Sequence, residues 1–428
     1  MIDLSVEIAG LRLKNPLIVG AGPNTKNIPN AVNCIKAGFG AIVVRSLHMQ
    51  YPDQRLEPVR EFWRILGHSK KATKNLYSFQ STAAPAQRVN EKAALGWGGA
   101  ARIPTLSEWA EEVRKITRAA KDYDCVVIAS IGWCGSNLST EELWRAEAKA
   151  MTDAGVGAIQ LHTAPSPATE PGRYMATDPR KHLEMPIKIV KEATHLPVFA
   201  KIPVDCCDAV GMACLAQKAA ADGVVPVTRW LSITVDVDHE KDPVWRGPGI
   251  GGPWSAPIMN GLIFRMRHAD QPVSYLFKDS SERFPDSPPV TIPIIPSGGV
   301  QSGADVIGYL IAGANGAEIC AQVILEGPGM AQRIEKEIRS WMARKGYERM
   351  ADFQGILKLL EHAKAKDIPQ WLAVVNEDRC NACETCIKAC PNQAICLDRD
   401  VAHVDPDYCE GCRTCYYVCP RKAISLKE

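Results

Sequence analysis

Eight short and nearly continuous apolar runs alternate with amphipathic segments over about 330 residues of the chain. Runs of this kind are typical of strands that are buried on both faces of a parallel sheet. They cover residues 16–19, 41–44, 126–129, 158–161, 198–200, 223–227, 293–295 and 317–320. Eight strand–helix alternations favour an α/β fold of the (β/α)8 barrel type, although periodicity alone does not distinguish a closed barrel from a doubly wound open sheet.

The segments between these runs have the apolar spacing and the end signals of helices. The clearest covers residues 140–154, where Ser139 is the predicted N-cap, Glu142 follows three positions later and Gly155 marks the stop. The other predicted helices cover residues 107–120, 209–221, 302–312 and 328–345.

Two regions interrupt the alternation. Residues 50–99 are polar with few strand signals, and residues 236–257 and 270–289 are rich in Pro, Gly and Asp. Long excursions between strand and helix usually build or cover the active face of a barrel; surface decoration is the alternative.

A connecting helix is expected at residues 354–366, just before a change in composition. We therefore expect a barrel over residues 1–345, a linker over 346–374 and a small α+β domain over 375–428.

Composition and charge narrow the class of protein. The chain of 428 residues is 46% hydrophobic and 23% charged, with a formal net charge of +2. This balance predicts no nucleic-acid or anionic-membrane partner. We find no apolar stretch of 18 residues and no signal-peptide pattern after Met1, so the expectation is a cytoplasmic protein without a membrane span.

The cysteines are concentrated at one end of the chain. Nine of the 16 fall between Cys380 and Cys419. In a chain without an export signal, such a concentration indicates metal ligation in a reducing compartment and not disulfides.

Within this region the motif C-x2-C-x2-C-x3-C-P occurs twice, beginning at Cys380 and at Cys409. Three thiolates so spaced hold one [4Fe–4S] cluster, and the fourth ligates the cluster of the other half. The predicted ligand sets are Cys380, Cys383, Cys386 and Cys419 for one cluster, and Cys409, Cys412, Cys415 and Cys390 for the other. Zinc is the alternative, but a zinc site needs only two C-x2-C pairs and no following proline. Cys396 lies outside both motifs and is expected to be a buried apolar residue.

Two clusters indicate electron transfer, and clusters do not perform hydride chemistry. A converter between electron pairs and single electrons is therefore expected in the barrel or in a partner, and flavin is the usual one.

In a barrel the chemistry takes place at the carboxyl ends of the strands. The first run ends in small residues, Gly20 to Gly22, which allow the backbone to approach a planar ring. The fifth run is followed directly by Lys201. Gly298 and Gly299 follow the seventh run, and with the turn after the eighth they predict a phosphate site built from backbone N–H groups.

The order of these residues resembles that of the dihydropyrimidine dehydrogenases and, more distantly, the dihydroorotate dehydrogenases. The resemblance covers almost the whole chain. It is carried by residues 3–11, 15–16, 127–131, 201–204, 221–224 and 297–300 and by the cysteine-rich tail.

The resemblance implies that FMN binds in the barrel and exchanges electrons with the clusters. By position, Ala21 and Gly22 would line the isoalloxazine ring, Lys201 would lie near N1 and O2, and Arg45 stands where the family carries lysine. The residues implied around the phosphate are Gly252, Ser255, Gly298, Gly299, Ala321 and Gln322.

The chain departs from the family in the substrate half of the site. Residues 166–180 contain no cysteine where the family has its general acid, and Tyr174 is near the matching place. The candidate proton donors are Tyr174, His162 at the end of the fourth run, and His182.

Arg229 stands where the family has a neutral polar residue beside the substrate. A buried guanidinium needs an anionic partner, which is either an anionic substrate or a carboxylate such as Asp236 or Asp238.

The leading hypothesis is a flavin and iron–sulfur enzyme that reduces or oxidises an activated C=C bond of a small anionic or cyclic substrate. The alternatives are dihydropyrimidine dehydrogenase activity with a different acid, and an electron-transfer subunit without a substrate of its own. Residues 247–252 resemble G-x-G-x-x-G but contain a proline. We therefore expect electrons to come from an NAD(P)H- and flavin-binding subunit or a ferredoxin. We also expect the protein to form an oligomer.

Overall fold

The computed structural model describes two compact units, Met1–Leu357 and Lys358–Glu428. The described residues are 2–46, 59–66, 78–85, 105–132, 141–163, 178, 180–202, 208–226, 230–231, 237–240, 249–269, 288–357 and 371–427. Within them, no helix is both long and apolar enough to cross a bilayer.

The first unit is built on parallel strands. Its described strands are β1 (Val6–Ile8), β2 (Leu11–Leu13), β3 (Leu17–Val19), β4 (Ala41–Val44), β5 (Val59–Leu66), β6 (Ser78–Pro85), β7 (Val126–Ile131), β8 (Ala158–His162), β9 (Val198–Lys201), β10 (Gly223–Val225), β11 (Trp230–Leu231), β12 (Gly249–Gly251) and β13 (Ala317–Ile319). Seven of them form one sheet in the order β10-β9-β8-β7-β4-β3-β13, and all its pairings are parallel.

The two edges of this sheet are joined by the short segment 293–297. Ile294 bridges to Val224 of β10, and Ser297 bridges to Glu318 of β13, both in parallel. The Ile295 N–H also donates to the Val224 carbonyl at 2.9 Å, and the Glu318 N–H donates to the Pro296 carbonyl at 2.8 Å. The segment therefore occupies the place of the remaining strand of a barrel, where the apolar run 293–295 predicted one.

Helices follow most of the strands. The described helices of this unit are α1 (Ile28–Lys36), α2 (Leu106–Lys121), α3 (Glu141–Asp153), α4 (Met185–Ala193), α5 (Ala209–Lys218), α6 (Ala256–Arg267), α7 (Gly303–Ala312), α8 (Ala321–Glu326) and α9 (Met330–Lys345). Helix α2 begins in a capping box, because the Thr105 hydroxyl accepts from the Glu108 N–H and the Glu108 carboxylate accepts from the Thr105 N–H.

The predicted α/β class is confirmed, and seven of the eight apolar runs are strands of the parallel sheet. Predicted and observed helices agree to within a few residues, as for 140–154 against Glu141–Asp153, while the predicted N-cap Ser139 lies outside the described residues.

Two regions differ from what the sequence pattern indicated. Residues 50–99 contain β5 and β6, which pair antiparallel in a second sheet ordered β11-β12-β6-β5. Their mixed polar and apolar sequence does not give the continuous apolar run that marks a strand buried on both faces. The expected helix 354–366 does not begin at 354, since Gly355 adopts φ 69° in a turn, and residues 358–370 lie outside the described part of the chain.

Alternation along the strands separates two apolar cores. Every second residue, such as Ile18, Val43 and Phe199, packs in a cluster inside the sheet, while intervening residues pack against the helices. The β1–β2 hairpin adds Ile8 and Leu13 to the inner cluster and thereby covers the amino ends of the strands. The carboxyl ends remain for the site.

The second unit is a small duplicated domain. Its described elements are the strands β14 (Leu372–Val375), β15 (Ile395–Asp398), β16 (Val401–Val404) and β17 (Ile424–Lys427) and the helices α10 (Thr385–Ala389) and α11 (Thr414–Val418). Strand β14 pairs antiparallel with β17, and β15 with β16. The sequence repeat is also a backbone repeat, since the left-handed residues Glu384 (φ 57°) and Arg413 (φ 66°) each precede one of the two helices.

Arg267, at the end of α6, binds the backbone just before the closing segment 293–297. Its guanidinium donates to the backbone carbonyls of Val290, Ile292 and Gly313 and to the Asn315 side chain. Burial lowers the pKa of Arg267 to about 10, and hydrogen bonds to four acceptors offset the cost of burying its charge.

We expect Arg267→Met to lower the free energy of unfolding by about 2–3 kcal/mol, because the variant leaves carbonyls without their charged donor. The measurement is the midpoint of urea unfolding followed by circular dichroism. Arg265→Met on the same helix is the matched control, since Arg265 is exposed and donates to the Gly261 carbonyl of its own helix at 3.3 Å. Equal midpoints for the two variants would contradict this account of Arg267.

Candidate functional site

The second unit brings the eight predicted thiols together in two sets of four. One cavity, of about 350 Å3, is lined by the first three cysteines of the first motif and by Cys419. The other, of about 360 Å3, is lined by the first three cysteines of the second motif and by Cys390. The fourth cysteine of each motif thus faces the cavity of the other half, in the crossed arrangement that the spacing predicts.

Backbone N–H groups point at the sulfur atoms of both fourth cysteines. Ala394 donates to Cys390 Sγ at 3.3 Å, and Ala423 donates to Cys419 Sγ at 3.3 Å. Such donors stabilise negative charge on a ligating sulfur and tune the reduction potential of a cluster.

Four of the other six thiols fall into two environments that repeat in each half. Burial raises the pKa of Cys386 and of Cys415. The neighbouring threonine hydroxyls lower the pKa of Cys383 and of Cys412. Among the described residues, no three His, Cys, Asp or Glu side chains converge closely enough for a single metal ion, whereas the thiols surround two volumes.

Cys396, which was expected to be buried, is exposed on β15. That expectation was wrong because β15 belongs to a two-stranded hairpin, in which alternate side chains face the solvent.

Lys201, at the end of β9, lies inside the barrel and is only 5% exposed. Its ammonium forms an ion pair with Glu318 of β13, which is 1% exposed, and lies 3.5 Å from Gln160 Oε1 of β8. Gln160 Nε2 donates to Glu318 Oε2 at 2.8 Å, and Ser297 Oγ donates to Glu318 Oε1 at 3.2 Å. We call these four side chains the buried cluster.

The buried cluster explains one of the small residues after β3. A Cβ on Gly20 would lie 2.7 Å from Glu318 Oε1, so only glycine leaves room for the carboxylate. Ala21 and Gly22, predicted to line a ring, follow directly, and Gly22 lies against Cys320 Sγ. Burial raises the pKa of Cys320 to about 11.

The residues predicted around a phosphate meet at another part of the same edge. Gly299 has φ 78°, and a Cβ there would lie 2.8 Å from the Ala256 nitrogen at the start of α6. Gly298 has φ 88°, and a Cβ there would meet only Ser255 Oγ, at 4.0 Å. Ser255 is itself buried and donates to the Gly252 carbonyl at 2.8 Å. Gly298 is half-buried and has open space at its Cβ position, which fits the approach of a phosphate to the backbone.

Ala321 and Gln322 begin α8, next to Cys320. The Gln322 side chain donates to Glu326 at 3.0 Å, so its amide lies along the helix surface.

Two cationic side chains lie together where β3 and β4 end. The Arg45 N–H donates to the Thr25 carbonyl at 3.5 Å, which brings Arg45 beside the loop that carries Lys26. Burial, and then repulsion by Arg45, lower the pKa of Lys26. The arrangement would favour an anion nearby.

His162 and His182 share a different cavity, of about 550 Å3, with Trp144 and Lys181. None of the predicted flavin-contacting residues lines this cavity among the described residues. Burial, and then repulsion by Lys181, lower the pKa of His182. Thr163, beside His162, donates to the Lys201 carbonyl at 2.7 Å, which ties the end of β8 to the end of β9.

Part of the predicted substrate half lies outside the described residues. This holds for Tyr174, Arg229 and Asp236. Asp238, the other carboxylate considered for Arg229, is described and is exposed.

Sequence reasoning missed Glu318, Gln160 and Ser297. Glu318 had a signal, since it is a charged residue in the middle of an apolar strand. It also missed Glu147 of α3, a buried carboxylate that accepts from the Gly132 N–H at 2.9 Å and fixes the end of β7.

We expect Lys201→Met to lower the free energy of unfolding by about 3–5 kcal/mol, because it leaves Glu318 charged and buried without its partner. Lys201→Met combined with Glu318→Gln should recover most of that loss. Urea unfolding of the full chain measures both.

The matched control is Lys191→Met, which breaks a partly exposed pair with Asp222 at 2.6 Å. Such pairs contribute about 1 kcal/mol or less. A double variant as unstable as Lys201→Met alone would show that the uncompensated charge is not the cause.

Comparisons with known proteins match the two units of the chain separately. A family model described as "4Fe-4S dicluster domain" matches residues 373–426, and one described as "Dihydroorotate dehydrogenase" matches residues 283–342.

Among curated proteins, dihydroorotate dehydrogenase A (fumarate) of Limosilactobacillus reuteri is 25% identical over 350 residues, which are 82% of this chain and 96% of that protein. The catalytic subunit of dihydroorotate dehydrogenase B (NAD(+)) of Oceanobacillus iheyensis is 26% identical over 354 residues, 82% of this chain and 97% of that protein. The corresponding subunit of Pyrococcus furiosus is 23% identical over 357 residues, 83% of this chain and 99% of that protein.

The predicted fold class is confirmed in both of its parts. The chain joins a barrel-type α/β unit similar to the dihydroorotate dehydrogenases to a C-terminal 4Fe–4S dicluster domain of the ferredoxin type.

Proposed function

We propose that this protein is an FMN- and iron–sulfur-dependent oxidoreductase that acts on a C=C or CH–CH bond of a small anionic or cyclic substrate. The observation that carries the proposal is the crossed pair of four-thiol cavities in a chain whose barrel holds a buried lysine at the carboxyl end of β9. Residues 1–345 would bind the flavin, 346–374 would connect, and 375–428 would transfer electrons.

The cavity residues fit two [4Fe–4S] clusters. Each cavity has four thiols, with N–H donors aimed at sulfur. Cubane clusters are held by four cysteine thiolates, and the crossed pattern belongs to two-cluster ferredoxins. When bound, such clusters supply single-electron transfer.

The barrel edge fits a flavin mononucleotide. When bound, FMN supplies hydride exchange with a carbon of the substrate and converts electron pairs to single electrons. Ala21 and Gly22 would lie along its ring, and Lys201 would contribute positive charge to it. Arg45 would add a second cation at the ring, and the backbone at Gly298 and Gly299, with Ser255, would hold the phosphate.

The remaining phosphate contacts would come from Gly252, Ala321 and Gln322. Because the Gln322 side chain is bonded to Glu326, we assign its contact to the backbone.

Two side chains are proposed as proton donors, His162 and Tyr174. His162 ends β8, whose neighbour β9 ends in Lys201, and the two residues are paired in register. His162 nevertheless lines the cavity of His182 and not the buried cluster, so its imidazole would have to reach the substrate from that side.

The anionic character of the substrate rests on charge. Arg229 follows the sixth apolar run, and Lys26 and Arg45 lie together after β3 and β4. Cations that follow β3, β4 and the sixth apolar run favour a carboxylate or phosphate in the substrate.

Dihydropyrimidine dehydrogenase activity is the second candidate. It is favoured by the joining of a barrel to a dicluster domain in one chain, since the three dihydroorotate dehydrogenases named above match 82–83% of the chain. The NAD(+)-type relatives are named as catalytic subunits, which supports electron exchange with a separate NAD(P)H- and flavin-binding subunit or a ferredoxin.

Protein purified without oxygen should contain about eight iron atoms and about eight acid-labile sulfides per chain, with one non-covalent FMN. Cys386→Ala should lose about half of the iron, because it removes a ligand of one cluster only. Metal analysis and the flavin absorbance of the denatured extract measure these contents.

Cys396→Ala is the control for this experiment, since Cys396 is exposed on β15. Zinc in place of iron would contradict the assignment of [4Fe–4S] clusters. Full iron without any flavin, under several purification conditions, would count against the barrel assignment.

Arg229→Leu should raise KM about 10- to 100-fold and leave FMN content unchanged, because it removes a charged hydrogen bond to the substrate. Arg229→Lys should recover part of the loss. His162→Asn should lower kcat more than it raises KM, with Tyr174→Phe testing the other acid. Efficient turnover of uracil that is unaffected by Arg229→Leu would favour the second candidate instead.

A further inference from the structure

The buried cluster contains a carboxylate that the flavin proposal does not use. Glu318 is 1% exposed, and both of its oxygens are bonded, one to Gln160 and the other to Ser297 and Lys201. A buried carboxylate is costly, and an apolar residue would fill the same place without that cost. The charge of Glu318 is therefore expected to serve a function.

The bonding of Lys201 suggests that function. A lysine ammonium has three N–H donors. Among the described residues, Glu318 and Gln160 accept two of them. Because the donors of an ammonium are arranged tetrahedrally, two protein acceptors fix the direction of the third.

We propose that Glu318 is the positioning residue for Lys201, and that it sets how much positive charge Lys201 presents to the flavin. The inference rests on the proposed binding of FMN at this edge of the barrel. Glu318 has two opposed effects. It holds the ammonium in one place, which strengthens the contact of Lys201 with a ligand, and its own negative charge weakens the positive field that the ligand experiences.

The rest of the fold supports a fixed carboxylate. Glu318 lies on β13 and Lys201 on β9, strands that are not neighbours in the sheet. Their side chains meet across the barrel interior. Gly20 follows β3, the neighbour of β13, and leaves the space that the carboxylate occupies. Gln160 and Ser297 then hold both carboxylate oxygens, so the counter-ion itself has little freedom.

Two substitutions separate the two effects. Glu318→Gln removes the negative charge and keeps the length of the side chain. It should raise the flavin midpoint potential by about 30 mV, which is a tenfold change for a two-electron couple, because reduced flavin is negatively charged. Glu318→Asp keeps the charge but withdraws the carboxylate by one methylene. It should lower the midpoint potential and weaken flavin binding several-fold, because the ammonium is no longer held in place.

The experiment is an anaerobic spectroelectrochemical titration of the full chain with its cofactors, together with the dissociation constant of FMN from fluorescence. The cluster potentials, measured in the same titration, serve as an internal reference and should not change. Ser297→Ala is the matched control, since it removes a bond to the same carboxylate without changing any charge, and it should shift the flavin potential little.

A Lys201→Met background shows whether Glu318 acts through Lys201. There, Glu318→Asp should no longer lower the flavin potential, because no ammonium remains to be positioned. Shifts of equal sign for Glu318→Gln and Glu318→Asp, or an unchanged potential in both, would overturn the inference. Wild-type protein that binds no FMN would instead contradict the proposed function, so the two failures are distinguishable.

Discussion

The ion pair between Lys201 and Glu318 is the constraint on which the barrel site depends. It joins two strands that are not neighbours in the sheet, in an interior where an unpaired charge would be strongly unfavourable. Gln160 and Ser297 complete the hydrogen bonding, and Gly20 gives the carboxylate its space. The position of the lysine at the carboxyl end of β9 is thus set by the whole barrel and not by β9 alone.

The two units stabilise charged groups in different ways. The barrel pairs a cation and an anion inside an apolar shell. The small domain instead places four thiols around each cavity and directs backbone N–H groups at sulfur. The first arrangement suits a cofactor whose charge changes on reduction, and the second suits clusters that carry one electron at a time.

Some of the residues predicted for the site lie near one another in the structure, and others do not. Gly298, Gly299 and Ser255 were predicted to act together, and the structure brings them together beside Ala256. The resemblance placed Lys201 near N1 and O2 of a flavin; the structure shows that Lys201 is buried, and its contact with a flavin stays a prediction. His162 was predicted at the same edge, but it lines a separate cavity with His182, because a residue at the very end of a strand can turn away from the barrel axis.

The sequence by itself determined the seven strands of the parallel sheet, the thiol sets and the duplication of the small domain, because each depends on spacing within a short stretch of chain. Only the tertiary structure decided what Lys201 touches. Glu318 is 117 residues away from it, and Gln160 and Glu318 are 158 residues apart. Which side chains meet across a barrel depends on the register of strands that pair over long distances, and local patterns of polar and apolar residues do not encode that register.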